Sequence, residues 1–181
     1  MLQQIVRQAD EWQPDFIWVN DSALCADMIN KPHEDYPMRV DVTKEMIDTL
    51  VEYMQGYGIK ELQERDIKQI HSTIMPDLHV SGRSYRVSDD IVVAQTFKAV
   101  AHEYLPELMD HILPVRIIEE ELSERERYNN PNLIKNEFDL VRWYSIFETI
   151  HPFDDGNGRV GGTVIGVLSY LMENRYLAPL Q

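Results

Sequence analysis

The sequence predicts an all-α domain with one short β-hairpin near residues 78–93. Apolar residues recur at helical spacing in one stretch after another, while strand-like alternation is confined to the hairpin segment. The chain is 181 residues long and 44% hydrophobic, enough for one ordinary core without a disulfide or structural metal. Residues 1–42 contain Pro14, Pro32, Pro37, Trp12 and Trp18 and no sustained period. They are expected to form an N-terminal arm packed on the body, with residues 43–181 as a single structural unit.

From Thr43, a plausible N-cap, Met46, Ile47, Leu50, Val51 and Met54 share one helical face, which Gly56 and Gly58 end. A second helix follows from Lys60 to about Met75, with Leu62, Ile67, Ile70 and Ile74 inward and Pro76 as its stop. LHVSGRSYRVSDDIVV reads as the ribbon and as the one credible strand segment. Helical pattern returns from about Ala94 to Tyr104, and again after Pro106 into the acidic run Glu119–Glu121. NNPN at 129–132 is a turn. From about Leu133, the residues Leu140, Trp143, Tyr144, Phe147 and Ile150 make an i, i+3, i+4, i+7 stripe. Val160, Val164, Val167, Leu168, Leu171 and Met172 define a last helix to about Asn174.

Charge and composition narrow the function. A net charge of −14 argues against nucleic acid as a partner, because phosphate-backbone affinity comes from clustered Lys and Arg. No run approaches the roughly 18 apolar residues of a membrane span, so no membrane partner is expected. The single Cys25 and the acids and amides of the first residues lead us to expect a mature cytoplasmic protein.

Chemistry concentrates in His151-Pro152-Phe153-Asp154-Asp155-Gly156-Asn157-Gly158-Arg159, which joins two apolar helices. Gly156, Asn157 and Gly158 can turn the backbone so that successive N–H groups face one concavity at a helix start, where the dipole favours an anion. Arg159 adds a forked donor for phosphate oxygens. Asp155 is a hard oxygen ligand suited to a Mg²⁺ carried by a nucleotide. His151 can take a proton from an attacking hydroxyl near neutral pH. An EF-hand fails because the third ligand position falls on Arg159, and a Walker loop fails because GxxxxGK[ST] is missing. His71 reads as a surface or capping histidine or, given the nearby Ile67, Ile70 and Ile74, as a hydrogen-bonded core residue.

HPFDDGNGR resembles the signature HPFx[DE]GN[GK]R of the Fic family at every defined position. SGRSYRV at 81–87 resembles that family's flap, and PELMDHIL the helix that follows it; the resemblance spans roughly residues 44–176. It implies transfer of a nucleoside monophosphate, in most members AMP from ATP, to a Ser, Thr or Tyr hydroxyl of a target protein. His151 would be the base, Asp155 the Mg²⁺ ligand, Gly156, Asn157 and Gly158 the anion hole and Arg159 the ligand of the outer phosphates. Phe153 would fix the loop by packing. The flap, with Gly82, Arg83, Tyr85 and Arg86, would hold the target by strand addition. Gly158, where Doc-type relatives have Lys, points away from phosphorylation.

Two departures qualify the expectation. The family often continues GNGRxxR, and the second Arg is here Gly162, leaving another nucleotide, removal of AMP, another phosphate-linked donor, or a catalytically weak binding module as alternatives. Gly161 and Gly162 have no decisive reading from sequence, whereas Gly166 suits close helix packing. An inhibitory [ST]xxxE[GN] pattern occurs only at Ser169–Asn174. Glu173 there is about 21 Å along the helix from Arg159, too far to fold back, so control would fall to a separate inhibitor protein or a second copy.

Overall fold

A computed structural model describes residues 1–33, 40–76, 84–93 and 97–180. Eight α-helices among these residues form the body: α1 (Leu2–Glu11), α2 (Ser22–Asn30), α3 (Lys44–Tyr57), α4 (Glu64–Ile74), α5 (Leu105–Ile112), α6 (Glu124–Asn129), α7 (Glu137–Ile150) and α8 (Asn157–Glu173). Short strands tie them together. β1 (Asp15–Val19) pairs antiparallel with β7 (Tyr176–Leu180), and β5 (Val115–Ile117) lies between antiparallel β2 (Glu61–Leu62) and parallel β6 (Leu133–Ile134). β3 (Val92–Val93) and β4 (Phe97–Lys98) make a hairpin. The fold is mainly α with small sheets. No helix among the described residues is long and apolar enough to cross a membrane.

Local chemistry explains the boundaries. Thr43 caps α3, its Oγ1 accepting from the Met46 N–H at 3.2 Å, and Gly58 closes the helix in the left-handed region at φ 63°. α7 starts at Glu137, four residues later than its apolar stripe suggests, because Asn136 caps it and Leu133–Ile134 is drawn into the three-stranded sheet.

α8 is the axis of the core. It is buried almost continuously from Asn157 to Ser169 and packs against α2, α3, α4, α7 and β7. Its glycines let these neighbours approach. A Cβ on Gly161 would stand 3.0 Å from the Tyr144 ring of α7, one on Gly162 3.1 Å from Ile29 of α2, and one on Gly166 3.1 Å from the Cys25 sulfur. Any side chain at 162 therefore meets α2. Burial on three sides offsets the roughly 1 kcal/mol that each glycine costs a helix.

Several expectations need correction. The 78–93 segment is not the only strand region: β1, β2, β5, β6 and β7 lie elsewhere, and β3 pairs with β4, which lies beyond the segment. Residues 78–83 of the expected ribbon lie outside the described residues, and 84–91 have no strand pairing. The helix expected over Ala94–Tyr104 is replaced in its described part by β4 and a short 3₁₀ turn at His102–Tyr104. α5 stops at Ile112 and does not reach Glu119–Glu121, because Pro114 follows and Val115–Ile117 pairs with two strands. Residues 1–30 contribute α1, β1 and α2, whose Ile5, Val6, Ala9, Cys25, Ala26 and Ile29 join the core. Their missing periodicity reflects short elements that bury narrow faces.

Candidate active site

The loop between α7 and α8 begins where His151 turns the chain out of the helix with φ 54°, a left-handed conformation that is uncommon for a residue other than glycine. The His151 Nδ1 lies 3.2 Å from the backbone oxygen of Glu148. A carbonyl only accepts, so Nδ1 carries the proton and the neutral ring presents Nε2 as its basic nitrogen. Burial lowers the His151 pKa below the ordinary histidine value, a positive Arg86 adds to this, and the Glu148 carbonyl and Asp155 oppose it. The ring is therefore neutral at neutral pH.

Phe153 is fully buried and anchors the loop; its ring stacks on His71 of α4 at 3.9 Å. Asn157 closes the turn with its side chain, Oδ1 accepting from the Phe153 N–H at 2.9 Å and Nδ2 donating to the Phe153 carbonyl at 2.8 Å. The Asn157 side chain is thus structural, and only its main-chain N–H is left to meet an anion. Gly156 precedes α8 with φ 85° and gives that helix no side-chain cap. Consequently the first turn, including the N–H groups of Asn157 and Gly158, has no intrahelical acceptors. The positive φ of Gly156 favours glycine, and an added Cβ there, 3.0 Å from Met75 Cγ, would also make the Met75 side chain give way.

Asp155 accepts from the Gly156 N–H through Oδ1 at 2.6 Å, and its side chain is 27% exposed. No group of three or more His, Cys, Asp or Glu side chains among the described residues forms a metal cage. One accessible carboxylate beside an anion cradle fits Mg²⁺, which keeps several waters and shares phosphate oxygens with one or two carboxylates.

Arg159 is placed differently from the sequence expectation. It is fully buried, with Nη1 donating to the Val40 carbonyl at 3.2 Å, Nη2 3.1 Å from the Met75 sulfur and 3.7 Å from Asp155 Oδ1. In this conformation it backs the carboxylate and is not an open donor for outer phosphates. Gly82 and Arg83 lie outside the described residues. Tyr85 is half-buried, its hydroxyl bonded to Glu64 and its ring 4.5 Å beneath the Lys68 ammonium. Arg86 is the clearest correction: expected on a target-facing flap, it is buried to 2% exposure. Its Nε donates to the His151 carbonyl at 2.7 Å, Nη1 to Ser88 at 2.7 Å, and Nη2 to Val100 at 2.5 Å and Ile150 at 3.3 Å, while its N–H donates to Pro152 at 2.8 Å. Arg86 fastens its own segment to the end of α7.

Sequence reasoning missed Arg86 as a clamp, and it missed Met75 and Glu148. Glu148 is buried, Oε1 has no hydrogen-bond partner, and burial pushes its pKa up to about 8. These roles depend on contacts across many residues of chain, which no local pattern records.

A family model described as the Fic/DOC family matches residues 61–168, more than half of the chain and including the whole loop. No curated protein matches the chain.

Proposed function

We propose, given that the chain belongs to the Fic/DOC family, that it transfers a nucleoside monophosphate, AMP from ATP in the first instance, to a Ser, Thr or Tyr hydroxyl of a target protein. Family membership suggests nucleotide transfer to proteins in general; the donor and acceptor are our reading. The observation that carries it is His151, held by the Glu148 carbonyl in the tautomer that exposes a basic Nε2, on the same loop as an uncapped helix start and an accessible carboxylate. The target oxygen attacks the α-phosphorus as its proton passes to His151 Nε2. The bond to the β-phosphate oxygen breaks, and pyrophosphate leaves.

The N–H groups of Asn157 and Gly158, at the positive end of α8, stabilise charge on the phosphates. Asp155 would hold the Mg²⁺, which when bound neutralises phosphate charge. Arg159 adds positive charge beneath Asp155 and keeps its carboxylate in place. A neutral base is available at neutral pH because burial lowers the His151 pKa.

A second reading is favoured by Gly162, whose lost side chain makes room for Ile29. Without the second arginine, a different donor, removal of AMP, or a weak binding module remains in competition. Incubation of the full chain with Mg²⁺ and each of ATP, GTP, CTP and UTP, followed by intact-mass spectrometry, separates these. Self-modification by one nucleoside monophosphate, reduced at least about 100-fold in His151→Ala with nucleotide affinity retained, is the expected result. Full activity in His151→Ala would overturn the mechanism.

A further inference from the structure

We infer that His71, outside the loop motif, is a positioning residue that sets the Asp155–Gly156 peptide for nucleotide binding; this rests on the reading above. His71 belongs to α4, which packs against α8, and its ring is fully buried. Its Nε2 lies 2.8 Å from the Asp155 backbone oxygen, and the same ring stacks on Phe153 at 3.9 Å and 14°. One side chain thus holds two loop residues that are two positions apart.

The chemistry of the ring says which contact matters. The Asp155 carbonyl accepts, so Nε2 carries the proton and Nδ1 is a bare acceptor. That Nδ1 is buried with no hydrogen-bond partner. Leaving a buried acceptor unmade is unfavourable, and a phenyl ring would stack on Phe153 without that cost. The Nε2–H bond to the loop is what imidazole provides and an apolar ring does not.

The peptide plane carries the effect into the site. In a trans peptide the carbonyl and the following N–H point in opposite directions, so fixing the Asp155 oxygen also fixes the Gly156 N–H. That N–H holds the Asp155 carboxylate at 2.6 Å, and Gly156 at φ 85° sets the direction of the first N–H groups of α8. Rotation of this one plane would displace the carboxylate and the anion cradle together.

Two polar replacements isolate the donor. His71→Gln can place an amide N–H near the position of Nε2, whereas His71→Asn is one carbon shorter; both lose the stack. His71→Phe keeps the stack and loses the donor. Self-modification rate, calorimetric affinity for non-hydrolysable ATP with Mg²⁺, and thermal midpoint would be measured on the full chain. We expect Gln to stay within about threefold of the natural protein in rate and affinity, and Asn and Phe to lose about tenfold or more in both. The Gln and Asn variants should melt alike, which a purely structural role could not reconcile with different affinities. Asn equal to Gln, or Phe equal to the natural protein, overturns the inference even if one variant fails to fold. A natural protein that binds no nucleotide overturns the reading of the site itself, and this inference with it.

Discussion

The adjacent helices α7 and α8 solve the same end problem in opposite ways. At the start of α7 two of the orphan N–H groups, those of Asn136 and Asp139, are taken up by neighbouring side chains. Asn136 accepts from Asp139 N–H at 3.2 Å, and the Asp139 carboxylate in turn accepts from the N–H groups of Lys135 and Asn136 and from Arg127 at 2.9 Å. α8 starts from Gly156 with no side-chain cap, although 12 of its 17 residues are buried. A stability-optimised helix would carry Ser, Asp or Asn there. An uncapped helix start leaves acceptors to be supplied from outside the chain, as the proposed function requires.

The largest break in this contrast should come from Gly156→Ala. A side chain at φ 85° costs about 1–3 kcal/mol in strain and also crowds Met75 at 3.0 Å. The expected outcome is loss of nucleotide affinity by about tenfold or more, read by calorimetry, with a lowered thermal midpoint. An intermediate effect is expected at the other end of α7. The folded Glu148 binds a proton up to about pH 8, whereas the unfolded carboxyl releases it near its ordinary value of 4.5. Its contribution to stability is therefore fully present below about pH 4.5 and is lost as pH rises through about 8. Denaturant titrations should show Glu148→Gln flattening this decline; an unchanged pH profile would refute it. The smallest effect belongs to Asn136→Ala. It should cost about 1 kcal/mol of stability and leave nucleotide affinity unchanged, because the cap at that end serves only the fold.

The loop was legible because its nine residues are contiguous and of chemically distinct types, and the helices α3, α4, α7 and α8 because each has a long apolar face. What stayed hidden depends on distant partners. Arg86 looks like a surface arginine until the carbonyls of Ile150 and His151 are seen around it. His71 bonds a residue 84 positions away. Gly162 looked like a lost arginine, and only the Ile29 side chain 3.1 Å from its absent Cβ shows that a larger residue would have to push α2 aside. The strands escaped because Glu61–Leu62, Leu133–Ile134 and Phe97–Lys98 are two residues long, too short to register a period.

The antiparallel register of β1 with β7 sets Asp15 opposite Leu180 and Val19 opposite Tyr176, joining positions separated by nearly the whole chain. In kinetic terms this is a contact of very high order, and its loop-closure entropy has to be met before its hydrogen bonds return anything. During synthesis β1 is made before α7 and α8 and waits for a partner that is made after them. The sheet therefore works as a completion latch, engaging only once α7 and α8, and the loop between them, have been made.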